Sequence, residues 1–127
     1  VLNRRIFRIL VVDDDEGVRS VMARALRKSD FDVIEVSDGT EAVEYLEKEI
    51  PDVILCDLIM PGMDGWRLVD HLKSTERLKD IPVLMLTGAD DEQNEIALLS
   101  AGVQDFISKA SSPAKVLARI NRALAGL

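Results

Sequence analysis

Apolar residues along the chain alternate between two patterns, short continuous runs and longer stretches in which they recur at helical spacing. The continuous runs are rich in Val, Ile and Leu, a composition typical of strands buried on both faces of a parallel sheet. They predict strands at 6–12, 31–36, 52–56, 82–87 and 104–108. The stretches between them have apolar residues three and four positions apart. They predict helices at 17–29, 39–49, 66–75, 91–102 and 113–127.

Several helix starts are marked by residues that favour this position. Ser112 precedes Pro113, the expected order for an N-cap followed by proline at the first helical position. Asp15 is predicted to cap the first helix, and Asp64 and Gly65 to form the turn that enters the third. The apolar stripe of the first helix is predicted to contain Val18, Val21, Met22, Ala25 and Leu26.

This alternation of strands and helices predicts an α/β fold, a doubly wound parallel sheet of five strands with helices on both faces. The crossover connections are expected to be right-handed. In such a sheet, ligands bind beyond the carboxyl ends of the strands, where the strand order reverses. We expect residues 1–127 to form one domain, with its core at about 6–125 and no output domain.

Length and composition narrow the possible functions. The chain has 127 residues, enough for one hydrophobic core, and its 47% apolar and 31% charged residues are typical of a soluble globular protein. A net charge of −7 argues against a nucleic-acid surface, which needs clustered Lys and Arg. Cys56, the single cysteine, cannot form an internal disulfide, and no apolar run approaches the roughly 20 residues of a membrane span. We therefore expect a cytoplasmic protein without membrane attachment.

Polar residues follow the predicted strands at the points where these strands end. They are Asp13, Asp14 and Asp15 after the first strand, Asp57 after the third, Thr87 at the end of the fourth and Lys109 after the fifth. In a parallel sheet all of them lie at one edge, where the carboxylates repel each other unless cations lie among them. Mg²⁺ prefers such oxygen ligands, and a cleft with carboxylates, a hydroxyl and an ammonium suits a phosphoryl group.

The chain resembles a known family, the receiver domains of two-component response regulators, which are related in fold to the bacterial chemotaxis regulator. The resemblance covers residues 6–125 and rests on five stretches in the expected order: "ILVVDDD", "DVILCDLIMPGMDGW", "PVLMLTG", "AGVQDFISK" and "LARI". It implies the flavodoxin-like strand order 2-1-3-4-5. It also implies a switch that accepts a phosphoryl group from a sensor histidine kinase or a phosphotransfer protein.

The resemblance assigns roles to the acidic residues and one backbone group. Asp57 matches the phosphoacceptor, and Asp14 the acid that ligates Mg²⁺ (or Mn²⁺) directly. Asp13 matches the acid that reaches the metal mainly through water, and Ile59 is expected to offer its backbone carbonyl.

Three further residues match the family's switch. Thr87 matches the hydroxyl and Lys109 the lysine that contact the phosphoryl group, while Phe106 takes the place of the aromatic that turns inward on activation. Phosphorylation is expected to shift the face formed by the last two helices and the strand between them. Asp105 and Arg119 match positions of a possible dimer face, so we expect a monomer or a weak dimer.

Two enzyme-like or metal-binding alternatives have specific arguments against them. A haloacid-dehalogenase-type phosphatase needs a second Asp two residues after its nucleophile, where Asp57 is followed by Ile59. A calcium loop beginning at Asp13 needs Glu at its twelfth position, which is Arg24. A receiver-like binding module that is never phosphorylated would need a broken acid site. We therefore expect no enzyme activity beyond the chain's own phosphorylation and dephosphorylation.

The chain departs from the family pattern in ways that give further predictions. Ala110 follows Lys109 where proline is usual. Because a cis bond before a non-proline residue costs about 2.5–4 kcal/mol, we expect a trans Lys109–Ala110 bond or a rebuilt loop, with Lys109 still reaching the cleft. Ile59 and Ala89 cannot position water by hydrogen bonding, so we expect a long-lived phosphorylated state. Lys115 stands where dimerising members usually have Glu.

Overall fold

A computed structural model describes residues 5–60, 62–88 and 94–126. Within these residues, five β-strands alternate with five α-helices. In chain order they are β1 Arg8–Val12, α1 Glu16–Lys28, β2 Asp32–Val36, α2 Gly39–Lys48, β3 Val53–Asp57, α3 Gly65–Lys73, β4 Val83–Thr87, α4 Glu95–Ser100, β5 Asp105–Ser108 and α5 Pro113–Ala125. None of the helices in the described ranges is long and apolar enough to cross a bilayer.

The five strands form one parallel sheet in the order β2-β1-β3-β4-β5, which confirms the predicted fold and strand order. The chain reverses its direction of travel across the sheet between β1 and β3, so the site expected by the switch-point rule lies at the carboxyl ends of these two strands. The register places Val12 beside Cys56, Asp57 beside Leu86, and Thr87 beside Ser108.

The sheet separates two hydrophobic cores. Buried residues of α1 and α5 pack on one face, and those of α2, α3 and α4 pack on the other. Strand β3 contributes to both, because its alternate side chains point to opposite faces. All five of its residues are buried, as expected for a central strand covered on both sides.

Helix α1 buries a different stripe from the one predicted. Met22, Ala23 and Leu26 are buried, whereas Val18 and Val21 are 36% and 60% exposed, so the prediction was wrong for these two valines. Extending the buried stripe one turn towards the N-terminus leads to Arg19, three and four positions before Met22 and Ala23. Its guanidinium lies against the loop after β1, which fixes the rotation of the helix about its axis.

The predicted helix caps are confirmed. The side chains of Asp15, Asp64 and Ser112 each accept a hydrogen bond from the backbone N–H three residues later, at 3.0, 3.0 and 3.3 Å. Asp38 caps α2 in the same way, at 2.8 Å. Each cap satisfies an N–H that has no partner within its helix. All four of these helices begin directly after loops at the carboxyl edge of the sheet, so the caps also help to define the geometry of that edge.

Gly65 allows α3 to approach the end of β3 closely. Its N–H donates to the Leu58 carbonyl at 2.8 Å, and a Cβ at this position would lie 2.8 Å from the Asp57 carbonyl oxygen and 2.9 Å from Leu58 Cα. These are backbone atoms, so they cannot rotate out of the way as a flexible side chain would. A glycine is therefore required for α3 to begin here.

We expect Gly65→Ala to lower the free energy of unfolding by about 1–3 kcal/mol, because overpacking forces backbone shifts. Chemical denaturation followed by circular dichroism measures the change. Gly17→Ala is the matched control, since the added Cβ would meet only Asp15 Oδ1 at 3.4 Å and alanine favours a helix. Equal stabilities for the two variants would contradict the packing argument.

Candidate functional site

Three carboxylates meet where β1 and β3 end. One carboxylate oxygen from each of Asp13, Asp14 and Asp57 lies within 4.8 Å of the other two. Asp13 is 0% and Asp57 is 1% exposed, whereas Asp14 is open to solvent. Two buried acids and one exposed acid thus form a half-open cluster of negative charge at the switch point of the sheet.

Asp13 leaves half of its carboxylate without a partner. Its Oδ1 accepts a hydrogen bond from the Asp15 N–H at 2.9 Å, while the buried Oδ2 has no hydrogen-bond partner in the described part of the chain. Burial raises the pKa of Asp13, against the lowering effects of that hydrogen bond and of Lys109. An oxygen in this condition is suited to a ligand from outside the chain.

Asp57 is paired with a cation. Lys109 Nζ donates to Asp57 Oδ2 at 2.6 Å, and the Ile59 N–H donates to Oδ1 at 3.3 Å. Burial raises the pKa of Asp57 despite this pairing. Partial burial of Lys109 disfavours its charged form. The hydrogen bond to Asp57 and the attraction of the Asp57, Asp13 and Asp14 carboxylates outweigh this effect, so the pKa of the Lys109 ammonium is raised.

The backbone after β5 delivers Lys109 to this cluster. The Lys109 N–H donates to the Thr87 carbonyl at 2.8 Å, which extends the pairing of β4 and β5 by one residue. The Ala110 N–H donates to Ser108 Oγ at 3.1 Å. The peptide bonds of the described residues are all trans, so the predicted trans Lys109–Ala110 bond is confirmed, and the lysine reaches Asp57 without the proline.

The cluster fits a hard divalent cation. Three carboxylates lie around one ammonium, so negative charge is in excess, and Asp13 Oδ2 lacks a donor. Mg²⁺ binds few carboxylates and retains several waters, which suits a site with one solvent-facing side at Asp14. The residues present are therefore able to hold such an ion.

A groove beside the cluster lies between α4, β5 and α5. It encloses about 450 Å³, and it is lined by Thr87, Gly88, Glu95, Asp105, Phe106, Ile107, Ser108, Lys115 and Arg119. Thr87 is 5% exposed, and Phe106 is half-buried against the core on the α2–α4 side of the sheet. The hydroxyl and the aromatic ring thus border one groove that starts at the end of β4.

The predicted dimer-face residues are paired within the chain. Arg119 Nη1 donates to both oxygens of Asp105, at 3.0 and 2.9 Å, and Arg122 donates to one of them at 2.8 Å. This fork holds α5 against β5. The charges of Asp105 are thereby satisfied without a second copy of the chain.

The exposures of Ile59, Cys56 and His71 differ. The Ile59 side chain is 66% exposed, and the metal-ligand role of its carbonyl stays a prediction; Ala89 lies outside the described residues. Cys56 is fully buried, and burial raises the pKa of its thiol, in keeping with a small core residue. His71 is half-buried on α3.

Sequence reasoning missed Arg19. Its Nη1 donates to the Asp13 carbonyl oxygen at 2.7 Å. A basic residue of α1 thus contacts the backbone of the acidic loop, residues 13–15, which joins β1 to α1. The available signal was the helical spacing itself, because Arg19 lies on the stripe of Met22, Ala23 and Leu26. A charged residue on an inward stripe indicates a buried polar partner.

Comparison with known proteins agrees with this geometry. The family model described as the response regulator receiver domain matches residues 9–121. The chain belongs to this family. The receiver domain is 38% identical over 113 residues to the phosphate regulon transcriptional regulatory protein PhoB of Escherichia coli, a match that covers 89% of this chain and 49% of PhoB. It therefore spans about half the length of that relative.

Solved structures give the same result for the fold. The receiver domain superposes on the signal receiver domain of a histidine kinase from Syntrophus aciditrophicus with a TM-score of 0.88 and 32% identity, covering 95% of this chain and 92% of that one. The chemotaxis response regulator CheY4 of Vibrio cholerae gives a TM-score of 0.88 with 28% identity, covering 94% of this chain and 100% of that one. The expectation of a receiver domain is thereby confirmed.

Proposed function

We propose that this receiver domain accepts a phosphoryl group on Asp57 from a phosphohistidine of a sensor histidine kinase or phosphotransfer protein. The observation that supports this most is the buried Asp57 carboxylate, which is 2.6 Å from Lys109 Nζ and joined by two further acids at the switch point. A buried carboxylate with a cation at one oxygen has a defined orientation for attack.

The reaction is a transfer between two protein side chains. A carboxylate oxygen of Asp57 forms a bond to phosphorus as the P–N bond to the donor histidine breaks. The electron pair of that bond stays on the histidine nitrogen, and because the other ring nitrogen carries a proton, the imidazole leaves as neutral histidine. The product is an acyl phosphate on Asp57. Lys109 is close enough to shift from Asp57 to the phosphoryl oxygens as negative charge accumulates there.

A divalent cation, Mg²⁺ or Mn²⁺, completes the proposed site. Asp14 and Asp57 would hold it directly, Asp13 mainly through water, and Ile59 through its carbonyl. When bound, it neutralises negative charge on the phosphoryl oxygens and on the acids. The unpartnered Asp13 Oδ2 and the exposed Asp14 support this assignment.

The phosphorylated state would be read at the face formed by α4, β5 and α5. Thr87 lies at the end of β4, and its hydroxyl is proposed to move towards the phosphoryl group. The vacated space in the groove would admit Phe106, which is half-buried and borders it. Phosphorylation then biases an equilibrium between two arrangements of this face.

The domain would act as a switch whose catalysis is limited to its own modification. We propose that it acts without direct nucleic-acid binding, that residues 1–127 form a single receiver domain, and that it is a monomer or weak dimer. Dimerisation through Asp105 and Arg119 would require their bidentate intrachain pair to open or to be shared.

The central test is incubation with acetyl phosphate and Mg²⁺, followed by intact mass spectrometry. Wild-type protein is expected to gain one phosphoryl group, and Asp57→Ala none. Asp64→Asn serves as the matched control, because Asp64 is an acid that only caps α3, and it should gain the group as wild type does. No gain by wild type, either from acetyl phosphate or from a phosphorylated sensor histidine kinase, would refute the proposal and favour a receiver-like binding module instead.

The lifetime of the phosphorylated state gives a separate prediction. We expect Ile59→Asn to shorten it several-fold, because an amide beside Asp57 can position a hydrolytic water where Ile59 cannot. Intact mass spectra taken at intervals after removal of the donor measure the lifetime. Ile96→Asn is the control, since Ile96 is similarly exposed, at 80%, but lies on α4. Equal lifetimes for both variants would contradict the prediction.

A further inference from the structure

Arg19 holds the Asp13 peptide from the α1 side of the sheet. Its side chain is 16% exposed, and Nη1 donates to the Asp13 carbonyl oxygen at 2.7 Å. The backbone N–H of Arg19 also donates to the Asp15 carbonyl at 2.9 Å. The same residue thus contacts two peptides of the acidic loop, one through its side chain and one through its backbone.

The Asp13 residue is consequently fixed at three points. Its N–H donates to the Val36 carbonyl at 3.2 Å, its carbonyl accepts from Arg19, and its Oδ1 accepts from the Asp15 N–H at 2.9 Å. Because the backbone and one carboxylate oxygen are held, the unpartnered Oδ2 also has a defined position, in a carboxylate that has one oxygen within 4.8 Å of an oxygen of each of Asp14 and Asp57. Loss of the Arg19 contact would release the carbonyl side of this arrangement.

We propose that Arg19 is a positioning residue for the metal ligands Asp13 and Asp14, and that it acts on them through the Asp13 peptide. This inference rests on the proposed function, because it takes Mg²⁺ as the ligand of Asp13 and Asp14. Arg19 contacts the carbonyl of Asp13, whereas the cation that pairs with a carboxylate of the cluster is Lys109. The effect of Arg19 is therefore on the placement of an oxygen ligand.

Glu35 on β2 offers an internal comparison. Arg19 Nε lies 3.5 Å from Glu35 Oε1, and Arg27 Nη1 lies 3.0 Å from Glu35 Oε2. Arg27 also donates to a backbone carbonyl, that of Val33, at 2.9 Å. The two arginines share an anion and each holds one carbonyl, but only the carbonyl held by Arg19 belongs to the acidic loop. Arg27, whose side chain is 51% exposed against 16% for Arg19, is therefore the control for the loss of an arginine that pairs with Glu35.

The test compares Arg19→Met and Arg27→Met in the whole chain by titration calorimetry with Mg²⁺. Loss of an outer contact to a metal ligand typically costs 10–100-fold in affinity, and we expect a loss of about tenfold for Arg19→Met. Arg27→Met should bind as wild type does. Hydrogen exchange of the metal-free protein should also be faster at the Asp15 amide in Arg19→Met, but not in Arg27→Met. A general loss of stability would speed exchange throughout the domain, whereas loss of the positioning contact should speed it in this loop.

Each outcome separates the inference from the function beneath it. If wild type and Arg19→Met bind Mg²⁺ equally, or if both methionine variants lose affinity alike, the positioning role is refuted while the metal site stands. If wild type binds no Mg²⁺, the metal assignment fails and this role fails with it. Should Arg19→Met not fold, Arg19→Gln replaces it, because its amide nitrogen takes the place of Nε beside Glu35 but has no atom at the position of Nη1, which donates to the Asp13 carbonyl; unchanged affinity in that variant refutes the role.

Discussion

Asp13→Asn is expected to raise the free energy of unfolding of the metal-free protein by about 1–3 kcal/mol at neutral pH, because it removes a buried negative charge that lies within 4.8 Å of two other carboxylates. The Asp13 carboxylate is fully buried, and its Oδ2 has no hydrogen-bond partner among the described residues. Asparagine retains the oxygen that accepts from the Asp15 N–H, and it removes the buried charge. The same change should weaken Mg²⁺ binding about tenfold or more.

This stabilisation should depend on pH in a defined direction. Burial raises the pKa of Asp13 above its ordinary value of 3.8, so the folded state binds more protons than the unfolded chain between these two values. The free energy of unfolding then falls as pH rises through that window. Below 3.8 the carboxyl is neutral in both states, so the advantage of Asp13→Asn should be small there and should grow as pH rises through the window.

Thermal denaturation at a series of pH values, with and without Mg²⁺, measures both effects. Asp15→Asn is the matched control, because Asp15 is an exposed acid two residues away whose capping role asparagine can also perform. A melting temperature for Asp13→Asn at or below that of wild type at neutral pH would contradict the prediction.

Lys109→Met is expected to slow phosphorylation by acetyl phosphate about 10²–10³-fold, the usual effect of removing one donor that stabilises a developing negative charge. Lys109 Nζ is the group that contacts Asp57 Oδ2, at 2.6 Å. The variant should also melt at a lower temperature, because it leaves a buried carboxylate without its cation. The raised pKa of Lys109 means that its contribution is complete below the ordinary value of 10.5 and is lost as pH rises through the folded-state pKa.

Rates of phosphoryl gain, followed by intact mass spectrometry, measure the first effect. Lys115→Met is the control, because Lys115 is an exposed lysine at the edge of the neighbouring groove. A phosphorylation rate for Lys109→Met close to that of Lys115→Met would show that the ion pair with Asp57 has no catalytic role.

The sequence predicted the sheet and the polar cluster because both follow from one rule. Parallel strands place their carboxyl ends at one edge, so residues as distant as Asp13, Asp57 and Lys109 converge once the strands are recognised. The pattern also predicted caps such as Asp15 and Asp64, since capping is local.

The pattern was less informative about how each element turns about its own axis. Val18 and Val21 are apolar at helical spacing, yet they face solvent because Arg19 takes the inward position, with polar partners in the loop after β1 and on β2. Similarly, the intrachain fork between Asp105 and Arg119 depends on how α5 lies against β5. Such pairings are set by tertiary contacts, which periodicity does not encode.

The location of Asp57 on the central strand determines which parts of the domain are free to respond to phosphorylation. Strand β3 has hydrogen-bonded neighbours on both sides, and the ladder continues past Asp57, the proposed phosphoacceptor, where the Leu58 N–H donates to the Leu86 carbonyl at 3.0 Å. The Gly65 N–H then holds the Leu58 carbonyl, so the peptide next to Asp57 is tied down from two directions. The peptide after Asp57 is therefore held on both sides. If Asp57 accepts a phosphoryl group, we expect the structural response to pass through the Thr87 and Lys109 side chains towards β5, the edge strand on this side of the sheet.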